Sequence, residues 1–137
     1  MPKLLLDADG FVRGFPYHDG FLDGVFVNTG GKEVYLALRS SSGELRTLIL
    51  RDVAALHVDG FREGNVVLNL RMIAKECLAD EELRRKLADR LYLDALHLPA
   101  ESMVLWLESS IGAEVIAVCS DAEVKLGTLS LSVRTNA

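Results

Sequence analysis

From Phe21 to Met72 apolar and polar residues alternate in short runs separated by turn-forming clusters. In Glu33–Arg39, Val34, Leu36 and Leu38 fall on one face and Glu33, Tyr35 and Arg39 on the other, the period of two that marks a half-buried strand. Asn28-Thr29-Gly30-Gly31 supplies residues that accept positive φ, so residues 22–27 and 33–39 are expected to form a hairpin. Ser41-Ser42-Gly43 then turns the chain back into residues 44–50. After an irregular stretch residues 65–72 alternate again, with Val66, Leu68, Leu70 and Met72 inward. The whole reads as an antiparallel meander.

The period changes after residue 79. Leu83, Leu87 and Leu91 recur every fourth position, Asp80 suits the N-cap, and Glu81 and Glu82 place negative charge in the first turn. Glu81 with Arg85, and Glu82 with Lys86, have the spacing of helical ion pairs. His97 falls near the end and Pro99 prevents continuation, which gives one main amphipathic helix over 80–97.

Beyond it, Met103-Val104-Leu105-Trp106-Leu107 is apolar on both faces and reads as a central, covered strand. A turn over 109–113 leads into 114–119, and Ser120-Asp121 into 123–134. Val124 and Leu126 share one parity while Leu129, Leu131 and Val133 have the other, so a β-bulge is expected at Gly127 or Thr128. These elements define an α+β fold: a mostly antiparallel, strongly curved sheet or partial barrel of about seven or eight strands with one helix. No linker-like stretch divides the chain, and residues 1–137 are read as a single domain.

Composition narrows the function classes. Half of the 137 residues are apolar and only three are proline, which excludes intrinsic disorder and leaves enough material for one core. No apolar run approaches the roughly 18–20 residues of a bilayer span. Lys3 followed by Leu4, Leu5 and Leu6 falls short of the ~7–15-residue apolar core of a signal peptide. A cytoplasmic protein without membrane contact is expected. Cys77 and Cys119 have no C-x-x-C spacing and are expected to be buried small hydrophobes.

The net charge is -5, and the last third carries Glu101, Glu108, Glu114, Asp121 and Glu123 against only Lys125 and Arg134. Phosphate backbones reward clustered cations, so nucleic-acid binding is disfavoured. An anionic face would instead steer a basic protein partner, with plain solubility as the alternative. The candidate contact residues are Glu108, Glu114 and Asp121, with Tyr17 and Tyr35 as aromatic anchors.

One pattern recurs. Asp9-Gly10-Phe11-Val12-Arg13-Gly14, Asp19-Gly20-Phe21-Leu22-Asp23-Gly24 and Asp59-Gly60-Phe61-Arg62-Glu63-Gly64 all read D-G-F-x-x-G, at uneven spacings that exclude a solenoid. Asp-Gly makes a tight turn, Phe is expected to plug into the core, and the second Gly lets the next strand start close to another backbone. No lysine or helix start follows as a phosphate loop requires. Asp7-x-Asp9-Gly10 opens like a calcium loop, but the later ligand positions are missing.

His18-Asp19 and His57-x-Asp59 precede two of these turns. Turns lying side by side would gather two imidazoles and two carboxylates, a set that zinc or non-haem iron accepts. His18, Asp19, His57 and Asp59 therefore form the alternative reading, a metal or small-molecule site; the ordinary one is hydrogen-bonded turn histidines. The cysteines lack a neighbouring His and Ser109-Ser110 lacks a G-x-S-x-G context, so no residue is nominated as catalytic and no cofactor is expected.

At His18-Asp19-Gly20, Val53-Ala54-Ala55-Leu56 and Phe61-Arg62-Glu63-Gly64-Asn65 the sequence resembles small bacterial proteins, some of them grouped with immunity proteins of contact-dependent or polymorphic toxin systems. The resemblance covers residues 17–72. It implies a non-catalytic, acidic, cytoplasmic α+β protein that binds a protein partner. A homodimer joined through edge strands is a further reading.

Overall fold

The computed structural model describes residues 5–6, 10, 12–13, 18–94 and 97–127. Strands β1 (Leu5–Leu6) and β2 (Val12–Arg13) form a two-stranded ladder. The other strands are β3 (Phe21–Asn28), β4 (Glu33–Arg39), β5 (Leu45–Arg51), β6 (Ala55–Asp59), β7 (Asn65–Ala74), β8 (Met103–Ile111), β9 (Glu114–Cys119) and β10 (Asp121–Leu126). They make one antiparallel sheet of eight strands in the order β10-β5-β4-β3-β7-β8-β9-β6. A 3-10 turn (Lys75–Cys77) and the helix α1 (Glu81–Leu91) separate β7 from β8. The mostly antiparallel α+β architecture is the one expected from the residue pattern.

The hairpin of β3 and β4 forms as expected, and β5 extends it. The chain then leaves the meander. β6 lies at the far edge against β9, and β7 returns beside β3 through Phe21↔Val66 and Leu22↔Asn65. The strongly curved sheet or partial barrel expected from the sequence is corrected here: the ladder stays open, with β10 and β6 at its two ends. A corner gathers the strands instead. There β5 passes into β6 through residues 52–54 and β9 into β10 through Ser120. The Ser120 N–H donates to the Arg51 carbonyl (3.1 Å) and the Ala54 N–H to that of Val118 (2.8 Å). Bent strands at such a corner let two parts of a sheet share a core.

The main core takes Leu36, Leu48, Leu50, Leu70, Leu105 and Leu107, and a second cluster lies under α1, where Leu83 and Leu87 meet Val104, Trp106, Ile116 and Val118. Alternate residues of β8 therefore enter opposite clusters, which is why its sequence is apolar on both faces. Full burial of a leucine side chain stabilises by roughly 1.5–3 kcal/mol, so Leu83 and Leu87 hold the helix down. Asp80 caps it, accepting from the Leu83 N–H at 3.1 Å, and Lys86 lies 3.7 Å from Glu82.

The helix is shorter than expected, ending at Leu91 rather than reaching 97. Tyr92 adopts the left-handed conformation (φ 56), and its N–H turns back to the Leu87 carbonyl, which stops the ladder well before Pro99. A non-glycine residue pays about 1–2 kcal/mol for this conformation. Tyr92 is 89% exposed, so its ring returns little of that to the fold. Tyr92→Gly is expected to raise the unfolding free energy by about 1 kcal/mol, read as a higher urea midpoint; a lower midpoint would contradict it.

Three further expectations change. β7 shifts register between Val66 and Val67 and again between Val67 and Asn69, so Val67 turns inward with Leu70 and Met72 while Leu68 turns out. A single irregular residue reverses the face of every side chain beyond it in the strand. The bulge expected at Gly127 or Thr128 falls at the limit of the described residues: β10 ends at Leu126, Gly127 is left-handed (φ 82), and residues from 128 onward lie outside. Cys119 is buried as expected, but Cys77, at the end of the 3-10 turn, is exposed. Among the described residues no helix is long and apolar enough to cross a membrane.

Candidate functional site

The second and third D-G-F-x-x-G segments meet at one end of β7. Asp19 is left-handed (φ 61), and its N–H donates to the Val67 carbonyl at 3.0 Å, while the Val67 N–H donates to that of Gly20 at 2.9 Å. On the other flank Val66 faces Ile111 and Val67 faces Ser109 of β8. The third segment ends at left-handed Gly64 (φ 76), immediately before Asn65 opens the strand. The first segment reaches β7 elsewhere, where the Gly10 carbonyl accepts from the Met72 N–H at 2.7 Å.

Asn65 ties this end together. Its side chain is buried, and Oδ1 accepts from the N–H groups of Arg62 (2.9 Å) and Ala113 (2.9 Å). Nδ2 donates to the carbonyls of Leu22 (3.1 Å) and Arg62 (2.5 Å). Both amide protons and both oxygen lone pairs are thus used. One side chain joins β3, the 60–64 turn and the β8–β9 turn. Gly112 (φ 102) packs directly on it: a Cβ there would collide with Oδ1 and lie 2.9 Å from the Asn65 Cα. Sequence reading missed Asn65. Its signal was an asparagine opening a strand-like run just after a glycine turn, where side-chain burial is disfavoured unless every polar atom is bonded.

Three large apolar side chains remain in water at this end: Phe61 (49% exposed), Ile111 (52%) and Leu68 (38%). Phe61 therefore does not plug the core as the repeat suggested, because Asn65 has taken the interior position of that turn. Phe21 is half-buried under the Arg39 guanidinium, 4.3 Å above its ring, and Phe11 lies outside the described residues. Asp19 and His18 on the second segment, and Asp59, Arg62 and Glu63 on the third, are exposed as well.

The metal reading is not supported by the strand order. His18 is exposed, its Nδ1 2.7 Å from the Leu68 carbonyl and its Nε2 3.7 Å from Asp19 Oδ2. His57 and Asp59 lie on β6, facing Ile116 and Glu114 of β9. β8 and β9 intervene, so three strand spacings of ~4.8 Å separate β7 from β6, about 14 Å in all. The two His–Asp pairs do not converge, and among the described residues no group of three or more His, Cys, Asp or Glu is placed to hold a metal ion.

Nor do the C-terminal acids form one face. Glu114 is taken up internally by Lys86 and Arg90 of α1 and by Trp106 Nε1 (3.2 Å), while the Lys86 ammonium and Arg71 guanidinium lie 5.2 and 5.7 Å from the Trp106 ring centre. Glu108 is half-buried on β8, whereas Asp121 is exposed on β10 at the opposite end of the strand order. Tyr35 is half-buried, donating to Glu33 at 3.0 Å with its ring centre 5.8 Å from that of Phe26; Tyr17 lies outside the described residues.

The two glutamates titrate in opposite directions. Burial pushes Glu114 up, but hydrogen bonds from Lys86 and Trp106 and the charges of Lys86 and Arg90 outweigh it and hold the carboxyl below its ordinary value. Its contribution to stability is present above the ordinary glutamate range and lost as pH falls through the depressed value. Burial raises Glu108, with Asn69 and Lys86 opposing only in part, so its ionisation works against folding as pH rises through the raised value. Glu108→Gln is therefore expected to raise the urea midpoint at pH near 7; an unchanged or lower midpoint would contradict this. Set against protein-family models, curated proteins and solved structures, the chain matches none of them.

Proposed function

We propose that this chain is a non-catalytic protein-interaction module that presents the Asn65 end of its sheet to a basic protein surface, in the manner of an immunity protein occluding its partner in the cytoplasm. The observation that carries the reading is the combination of Phe61, Leu68 and Ile111 in water with a backbone locked by Asn65. Exposed apolar groups on a fixed frame lose little entropy when they are covered. Asp19, Asp59 and Glu63, exposed on the second and third segments, speed encounter with a cationic partner, while the apolar groups set the lifetime of the complex. The acidic partner surface is thereby moved from Glu108, Glu114 and Asp121 to the turn end.

The test is the purified one-to-one complex with a basic partner, its interface mapped by amide protection. Phe61→Lys and Ile111→Lys, each at a side chain about half exposed, are expected to weaken that complex at least about thirtyfold apiece while the urea midpoint shows the fold retained. A complex indifferent to both but lost with Asp121→Lys would overturn the assignment.

A further inference from the structure

We infer that α1 is an acid-released cover: the Glu114 carboxylate latches it over the apolar outer face of β8 and β9, and protonation of that group uncovers the face while the sheet stays intact. The chain leaves the sheet after Ala74 and re-enters it at Met103, and these two residues face each other across β7 and β8. The base of the excursion is closed. The Lys75 N–H donates to the Ser102 carbonyl (3.1 Å) and the Lys75 ammonium to that of Leu98 (2.6 Å). α1 can therefore swing away without breaking a rung of the ladder, the condition for a unit that opens separately. Beneath it Val104 faces Val118 and Trp106 faces Ile116, so the covered residues form one contiguous apolar patch.

The polar ties of α1 to the sheet converge on carboxyls. Glu114 takes the ammonium of Lys86, the guanidinium of Arg90 and the Trp106 Nε1–H (3.2 Å). At the helix start Asp80 meets Arg71 of β7 at 3.3 Å. The other groups around Glu114 are Glu82 of α1, Glu108 of β8, Arg71 over the Trp106 ring, and Asp59 of β6, its partner across the ladder, with His57 two residues before; Glu81 and Asp89 of α1 are exposed. The Lys86 side chain is only 16% exposed, so a neutral Glu114 leaves it with Glu82 alone, at 3.7 Å. A buried charge that loses its partner is costly, and moving α1 into water removes that cost. Glu108 is held above its ordinary value and Glu114 below, so acid reaches Glu108 first, which removes a like charge and leaves the latch closed. Release follows as the pH falls through the depressed value of Glu114. The Asp80 carboxyl, also held low by the Leu83 N–H and Arg71, acts in the same direction.

Native-state amide exchange and the emission of Trp106, the only tryptophan, test this across pH. On acidification the amides of 83–91 are expected to lose protection, and the emission to move to longer wavelength, before the amides of Leu36, Leu48 and Leu105 change. Glu114→Gln at neutral pH should raise exchange over 83–91 at least about tenfold with those three amides still protected, and should flatten its pH dependence. Glu108→Gln, which leaves the latch in place, should do neither. Loss of α1 and sheet protection together, in acid or in Glu114→Gln, would overturn the proposal, as would helix exchange that is the same in Glu114→Gln as in the wild type.

Discussion

Asn65→Ala is expected to lower the unfolding free energy by about 3–5 kcal/mol, because a buried group left without its hydrogen-bond partner costs about 1–3 kcal/mol. Four partners are involved, and they differ. The bonds to the Ala113 N–H and the Leu22 carbonyl lie in the interior, where no water replaces the lost amide. Those to the Arg62 N–H and carbonyl are partly buried at an exposed turn, so solvent recovers part of their loss. Asn65→Asp keeps the two acceptor roles but surrenders both donors and brings a charge against the Leu22 carbonyl. It is expected to be destabilising at neutral pH and less so as the pH falls. Urea unfolding reads both, and a loss below about 1 kcal/mol for alanine would mean that the end is not tied through this residue.

Gly112→Ala is expected to cost about 3 kcal/mol or more, by overpacking and by forcing a side chain into a glycine conformation. The φ of 102 already excludes most L-residues, and the added methyl would lie 2.9 Å from the Asn65 Cα, a backbone atom that no rotamer change removes. The collision with Oδ1 is different, since it disappears when Asn65 is truncated. The Asn65→Ala/Gly112→Ala double variant should therefore lose less than the sum of the single losses, with a coupling of about 1 kcal/mol or more. Strict additivity would show that the two positions do not share one packing unit.

Local pattern carried the elements. The alternation of Val34, Leu36 and Leu38, the two-faced apolar run from Met103 to Leu107 and the Asp80 cap all appear in the structure where the sequence placed them. What failed depends on partners distant in the chain. Nothing in residues 52–54 or at Ser120 announces a corner, yet one residue there sends β10 to the opposite end of the strand order from β9. Asp121 is set apart in the strand order from Glu108 and Glu114 for that reason, whereas the charge of Glu114 still reaches Glu108 and helps to raise it. Glu114 is neutralised by helix residues 24 and 28 positions away, a pairing that no spacing rule anticipates. Leu68 faces out against the alternation of its strand because the register shifts of β7 depend on how it meets β8. His18-Asp19-Gly20 and the Phe61–Asn65 run were recognised as turns, but their meeting at one end of β7 is set by Asn65, whose four bonds are all non-local or across the turn.

A rigid sheet end with apolar side chains left in water is the feature on which partner binding depends. Native-state amide exchange at Arg62 and Ala113, the two N–H groups held by Asn65 Oδ1, reads that rigidity directly. Protection at Ala113 comparable to the core of β8, with Arg62 protected well beyond its exposed neighbours Phe61 and Glu63, is the predicted result. Exchange of both amides at the rate of an open surface loop would contradict it.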